Sequence, residues 1–443
     1  MSKNIGVCRL DITPPMGIGL RGYNVDRRAD GVLDPIYINT LAFEEDGKKA
    51  AIVVCDLLGM YNKRPFEEIK KITAEFGMDE EAMFICSTHT HTGPFIDVAA
   101  APGEARDDDP LYNEWFWRRV RDSVQLALAD LTPVKEVRGA EKETKDLAFV
   151  RRFQMKDGHY QTWARILDPN ILRPASKADE SLRTTVFERE DGKEIILVNF
   201  QIHPDCIGGT KISADYPGVV RDTVEAARPG SFCVYFDGAE GQMVGTDWFH
   251  NHGGNKSDGY GYYRKLGAAI GYEALSCCQR AFPIADAPLS YGRASVTVPT
   301  KLDMSLLPEA ERIYQLHMEG RDSEFAKNTG EMNCIFSAAR EMRRLAQEQL
   351  YEMELPISVI SFGGLALAGM PGEPFCELGV LVREGSPYEM TYVCCQCNQS
   401  MNYYPTAESY EQGGYEPSNS RLKPGAMEAL AQLTVDTLKQ LHG

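Results

Sequence analysis

The sequence predicts an α/β fold of mixed β-sheets with flanking helices, and three recurrences of a single pattern predict it. Strand, helix and strand follow one another at residues 50–57, 63–76 and 83–87, again at 194–200, 219–227 and 232–236, and again at 356–368, 373–383 and 390–394. The strands are short apolar runs, whereas the helices carry apolar residues at a spacing near 3.6. A strand–helix–strand unit of this length implies a parallel pair joined by a right-handed crossover.

The other elements fill the intervals. Residues 5–12 alternate in polarity and end before Pro14 and Pro15, as a strand does. Residues 36–43 are expected to pair with 50–57 across a turn made of Glu44, Glu45, Asp46 and Gly47. The helix at 63–76 stops at Gly77, a common helix terminator. A long helix is predicted over 261–280. A charged helical stretch over 307–351 is predicted to break near Asn328, Thr329 and Gly330, and a last amphipathic helix spans 425–441. No internal repeat or low-complexity linker interrupts the chain, so one catalytic domain is expected over residues 1–443.

Composition narrows the function classes. With 43% hydrophobic and 25% charged residues the chain has a globular balance. No apolar run reaches the about 20 residues needed to span a membrane; the segment 359–370 is short, contains Ser361, Gly363 and Gly364, and reads as buried strand. A formal charge of -17 argues against nucleic acid or an anionic membrane as partner, because both require a basic face. The start of the chain shows no secretory signal pattern, and several of the twelve cysteines sit inside apolar strands, so a cytoplasmic location is expected.

Histidine is scarce, eight in all, so its placement is informative. His89 and His91 directly follow the strand ending at Ser87. On extended chain, residues two apart point the same way, so both imidazoles are expected to face one space at a strand's C-terminal end, where α/β sites lie. His203 repeats the context beyond the strand 194–200, and neutral imidazole is a good metal donor. His250 and His252 repeat the His-x-His spacing in a loop fed by no strand, as substrate-loop residues or ordinary loop histidines. Glu373 follows another apolar strand and is either an oxygen ligand or a charge in the next helix's first turn. Asp56 and Asp215, at similar junctions, either orient a ligand histidine or cap a turn. Cys394, Cys395 and Cys397 lack a matching pair at zinc-finger spacing and read as core. Dinucleotide, P-loop and Gly-x-Ser-x-Gly signatures are absent.

Four segments, in order along nearly the whole chain, resemble the neutral/alkaline ceramidase family, zinc amidases that release fatty acid from N-acyl sphingosine. They are Ser87-Thr-His-Thr-His-Thr-Gly-Pro94, close to that family's Thr-His-Thr-His-Ser-Gly-Pro; Asn199-Phe-Gln-Ile-His-Pro204 with the trailing Ile212-Ser-Ala-Asp-Tyr-Pro-Gly218; Pro371-Gly-Glu373; and the tyrosine-rich stretch 398–416 with Tyr403, Thr406, Tyr410, Tyr415 and Glu416. The resemblance implies a neutral-ceramidase-like catalytic domain with one Zn2+ held by His89, His203, Glu373 and Tyr403. It assigns His91 to catalysis, Tyr415 to polarising the amide carbonyl, and an arginine role to Arg151, with Arg152 as its rival. Such an arginine would suit an acidic substrate or product.

The chain departs from the family in three respects. It ends about where the family's catalytic part ends, before the C-terminal immunoglobulin-like module of the larger members, and no export signal is visible. The family's Gly-Asp-Val-Ser-Pro stands here as Gly241-Gln-Met-Val-Gly245, which leaves no counterpart for its serine and favours attack by zinc-activated water. The expected activity is therefore amide hydrolysis of a small, soluble N-acyl substrate. The alternatives are ceramide itself, a zinc esterase or lyase on the same scaffold, and a catalytically silent binding protein; the oligomeric state is left open.

Overall fold

A computed structural model describes residues 2–23, 25–97 and 109–443. Its largest sheet runs, from one edge to the other, Phe232–Asp237, Glu194–Phe200, Ser181–Arg189, Thr132–Glu143, Lys3–Asp11, Tyr37–Glu45, Lys48–Cys55 and Met83–Ser87. The pair at each edge is parallel and the pairs between them are antiparallel. Two of the three expected strand–helix–strand units thus form the two ends of one mixed sheet, crossed by the helices Arg64–Glu75 and Asp215–Ala227. The third unit lies in a four-stranded sheet of Ser290–Pro299, Glu352–Phe362, Leu365–Gly369 and Met390–Cys394, whose last two strands are parallel.

The two sheets share a core. Phe84, Ile85 and Phe236 from the first and Leu365, Leu367 and Tyr392 from the second belong to one fully buried apolar cluster. Each such side chain contributes roughly 1.5–3 kcal/mol by leaving water. This packing brings the C-terminal ends of strands from both sheets together, and the chain segments that leave those ends carry the candidate site.

Local chemistry explains most boundaries. The turn between Tyr37–Glu45 and Lys48–Cys55 places Asp46 and Gly47 at φ of 53° and 81°, the left-handed pair that a tight hairpin demands. The helical stretch after residue 306 divides into Leu307–Met318 and Thr329–Glu348, and Asn328 caps the second by accepting from the Glu331 amide at 2.9 Å. The structure corrects the helix expected at 373–383, which begins only at Cys376. Glu373–Pro374 is instead a short strand, parallel to Tyr403–Tyr404. Gly372 makes this possible: it sits at φ 70°, and a Cβ there would lie 2.4 Å from the Asn402 carbonyl. The helix Pro110–Ala129, capped by Asp109, was not expected; it buries Tyr112, Phe116, Val120, Val124 and Ala127, a helical stripe present in the sequence.

Candidate metal centre

His89 lies just past the strand Met83–Ser87, in the left-handed region at φ 64°. The extended geometry expected for His89 and His91 is therefore incorrect, although the two rings do meet, with centroids 5.0 Å apart and nearly perpendicular. The turn at His89 does what an extended strand could not: it sends the ring back toward the strand Lys48–Cys55, where Nδ1 lies 2.6 Å from the Leu58 carbonyl. A carbonyl only accepts, so Nδ1 carries the proton and Nε2 presents a lone pair.

That lone pair points at His203. The two Nε2 atoms are 3.2 Å apart, and Glu373 Oε2 lies 3.7 Å from the first and 3.8 Å from the second. Tetrahedral ligands at bond lengths of about 2.0–2.2 Å are separated by roughly 3.3–3.6 Å, so this buried triangle has the dimensions of three ligands around one cation. The donor atoms of His89, His91 and His203 all lie within 4.8 Å of one another. Glu373 Oε2, His203 Nδ1 and both ring nitrogens of His91 have no hydrogen-bond partner among the described residues. Buried polar atoms are seldom left so. The residues present fit a divalent metal.

Two carboxyls complete the surroundings that sequence reasoning missed. The strand Phe232–Asp237 ends beside the strand that feeds His203, and Glu240 follows it. Glu240 Oε2 is 3.5 Å from His203 Nδ1 and Oε1 is 3.9 Å from His89 Nε2. A carboxylate beyond the far nitrogen of a ligand histidine fixes its tautomer and ring orientation. Burial, reinforced by Asp237, pushes the Glu240 carboxyl well above the usual range, and burial likewise raises Asp237. The signal was available, since Glu240 follows a predicted strand as closely as His203 and Glu373 follow theirs.

The segment after Glu240 is a hub. Gly241 donates to the Pro374 carbonyl at 2.9 Å, Gln242 accepts from the Arg151 amide at 3.0 Å, and Met243 accepts from the His203 amide at 3.0 Å. A Cβ on Gly241 would stand 2.6 Å from the Glu373 carbonyl, so only glycine permits this approach.

Tyr403 faces Glu373 directly as its strand partner, and its ring stacks on His203 at 20° with centroids 6.5 Å apart. Arg151 donates to the Tyr403 hydroxyl at 3.1 Å, to the Gly241 carbonyl at 2.9 Å and, through Nε, to Glu416 at 2.8 Å. The arginine is fully buried and held charged by Tyr403 and Glu416 against the cost of burial. These bonds tie its Nε and Nη2 to the protein's own groups. Arg152, the neighbouring residue, points to the Ser409 hydroxyl at 2.7 Å and the Gly413 carbonyl at 2.8 Å and braces that loop. Tyr415 packs against Tyr403 and Trp163, with centroids 5.7 and 4.5 Å away, and its hydroxyl accepts from the Asn419 side-chain Nδ2 at 3.2 Å. Burial pushes its phenol up to about 12.

His91 is the fourth ring of the centre. Burial lowers it to about 3, so it is neutral near pH 7, and its Nδ1 lies 3.9 Å from Asp205, which holds Lys256 at 2.8 Å and accepts from Tyr23. Asp56 takes Arg221 in a two-pronged pair at 2.8 and 2.6 Å and accepts from Thr88, the residue before His89, at 3.3 Å. Asp215 accepts from the amides of Cys206 and Tyr216 at 3.0 and 2.6 Å, and burial raises it to about 7. Both aspartates therefore fasten the backbone around the site. Cys394, Cys395 and Cys397 are buried thiols of the core.

No family model matches the sequence, and no curated protein sequence matches it. Six chains among solved structures match the fold. The crystal structure of neutral ceramidase from Pseudomonas aeruginosa aligns at a TM-score of 0.73 and 18% identity, covering 100% of this chain and 75% of that one. A ceramidase complexed with C2 aligns at 0.74 and 16% identity, covering 100% and 76%. Over its whole length, this chain has the neutral ceramidase fold.

Proposed function

We propose that the protein is a zinc-dependent amidohydrolase that cleaves the amide bond of an N-acyl compound. The observation that carries the reading is the buried triangle of His89 Nε2, His203 Nε2 and Glu373 Oε2, with sides of 3.2, 3.7 and 3.8 Å. Its setting in a fold shared with two ceramidases supports an amide as the scissile group.

In this reading His89, His203, Glu373 and Tyr403 hold one Zn2+. When bound, the ion supplies a water of lowered pKa and a Lewis acid for the carbonyl. The rest is done by the chain. Glu240, 3.5 Å beyond His203 Nδ1, is placed to orient that ring with Nε2 toward the ion. Arg151, fixed by Glu416, holds the Tyr403 hydroxyl in place. Tyr415, neutral because its phenol is raised, keeps a proton to offer the amide oxygen as negative charge develops there. His91 is also neutral, so it can take a proton on a ring nitrogen and return it to the departing amine, while Asp205 stabilises the transient imidazolium.

The substrate is a small, soluble N-acyl compound in the leading version, supported by the overall charge of -17 and by the charged Asp205 and Lys256 beside His91. Ceramide is the second version, favoured by the shared fold. The twelve free cysteines support a cytoplasmic setting. Metal analysis of purified protein, with hydrolysis of a panel of soluble N-acyl compounds and of ceramide in vesicles, tests the reading. Stoichiometric zinc at this centre and cleavage abolished by His203→Ala are expected. Protein without zinc, or a fully active His203→Ala variant, would overturn it.

A further inference from the structure

Beyond the strand ends, a second group of metal-binding side chains stands on the loop after the Gly241 hub. Asp247, His250 and His252 place one carboxylate oxygen and two imidazole nitrogens within 4.8 Å of one another. The backbone builds this arrangement. Asp247 is buried, and its Oδ1 accepts from the amides of Phe249 and His250 at 2.9 and 3.1 Å. Its Oδ2 is left facing the two rings, 3.2 Å from His250 Nδ1 and 3.6 Å from His252 Nδ1. Asn251, left-handed at φ 54°, donates to the Asp247 carbonyl at 3.0 Å and turns the chain so that His252 returns to the same side as His250. The rings stack 5.1 Å apart at 16°, and their side chains are 68% and 64% exposed.

The longer contact exceeds a hydrogen bond, and the shorter one sits at its outer edge. Both bracket the roughly 3.3 Å that separates neighbouring ligands of a tetrahedral ion. The floor is firm: Trp248 is buried, accepts from the Leu167 amide at 2.8 Å and donates to the Ala164 carbonyl at 2.5 Å.

We propose that Asp247, His250 and His252 form a second metal site that takes a divalent transition ion such as Zn2+. Two imidazoles and one carboxylate select such ions over Ca2+ and Mg2+, which prefer all-oxygen sites. With three protein ligands, the remaining positions face solvent. The site lies four residues beyond Met243, which binds the His203 amide, and a few residues before Lys256, which holds Asp205. An ion here ties down the loop that spans those two contacts.

The test is equilibrium dialysis against buffered Zn2+, with metal content read by mass spectrometry, on the full-length protein, on His250→Gln/His252→Gln and on His203→Ala. Two equivalents are expected for the wild type and one for each variant. Both histidines of the double variant are exposed, so its fold is retained, and circular dichroism checks this. A double variant that binds as many equivalents as the wild type overturns the proposal. A His203→Ala protein that keeps its loop equivalent separates this site from the strand-end reading, whose failure would leave the loop equivalent intact.

Discussion

The two histidine clusters use the same donor types but are built in opposite ways. His89, His203 and Glu373 come from residues far apart in sequence, brought together by the ends of strands in two sheets, and every donor is buried. Asp247, His250 and His252 come from six consecutive positions, folded by one left-handed residue and an aspartate cap, with two donors in solvent. The inner set has a polar surround of its own, with Glu240 behind His203, Leu58 behind His89 and Arg151 behind Tyr403. The outer set has Asp247 alone. A buried site can hold its geometry against solvent and exclude competing water, which suits chemistry; an exposed loop site can only be rigidified by what it binds.

The contrast is broken most directly at His203. Replacing it with alanine is expected to reduce hydrolysis by more than the about 10–100-fold typical of changes beyond the ligand shell, with loss of the inner metal. Steady-state kinetics and metal content measure both. Next is Arg151→Met. It removes the 2.8 Å partner of buried Glu416 and leaves only the Thr162 hydroxyl at 3.0 Å and Arg152 at 3.6 Å; breaking such a buried pair costs up to about 3–5 kcal/mol, visible as a lowered denaturation midpoint. An unchanged midpoint would mean that the Tyr403 face is not held from behind. Glu240→Gln keeps the shape but weakens the orientation of His203, and a loss of about 10–100-fold in metal affinity is expected, read by competition with a chelator.

The predicted elements explain why so much of the inner site was legible. Ser87, Phe200 and Ala368 end apolar strands of strand–helix–strand units, and the titratable residues just beyond these three strand ends stand out by that rule. Glu240 obeys the same rule after Asp237 and was passed over because no histidine marked it. Tyr403 could be named only by resemblance: its position opposite Glu373 depends on a two-residue ladder and on the left-handed Gly372. The loop cluster was read as the weaker His-x-His, since nothing in the sequence shows that Asn251 would turn His252 back over Asp247.

An acid-sensitive ion cluster lies behind the tyrosine loop, where Arg421 donates to Glu341 at 2.6 Å. Burial would raise the Glu341 carboxyl, but Arg421, Arg340 and Arg344 hold it well below the usual carboxylate range. Its folded value is below its unfolded one, so its stabilisation is full above the ordinary carboxylate range and is lost progressively as pH falls through and below that range. The stability gap between wild type and Glu341→Gln is therefore expected to narrow between about pH 6 and about pH 3 in thermal melts. A gap independent of pH would remove the ion cluster from the account. The smallest effect is expected at the loop: His250→Gln/His252→Gln should change hydrolysis by less than about threefold, since under about 0.6 kcal/mol separates an anchored loop from a free one that bears no reacting group.

By itself, the sequence determined the class of the fold, the strand ends at which polar residues would gather, and the residue types able to bind a metal, because periodicity and punctuation are local properties of a chain. Tertiary structure decided which strand ends meet. It tied Arg151 to Tyr403, Gly241 and Glu416, turned His89 through a left-handed bend, set Glu240 behind His203, and placed Glu373 beside Tyr403. Each of these is a contact across a large separation in sequence or a backbone conformation imposed by packing, and neither kind is written in the spacing of residues along the chain.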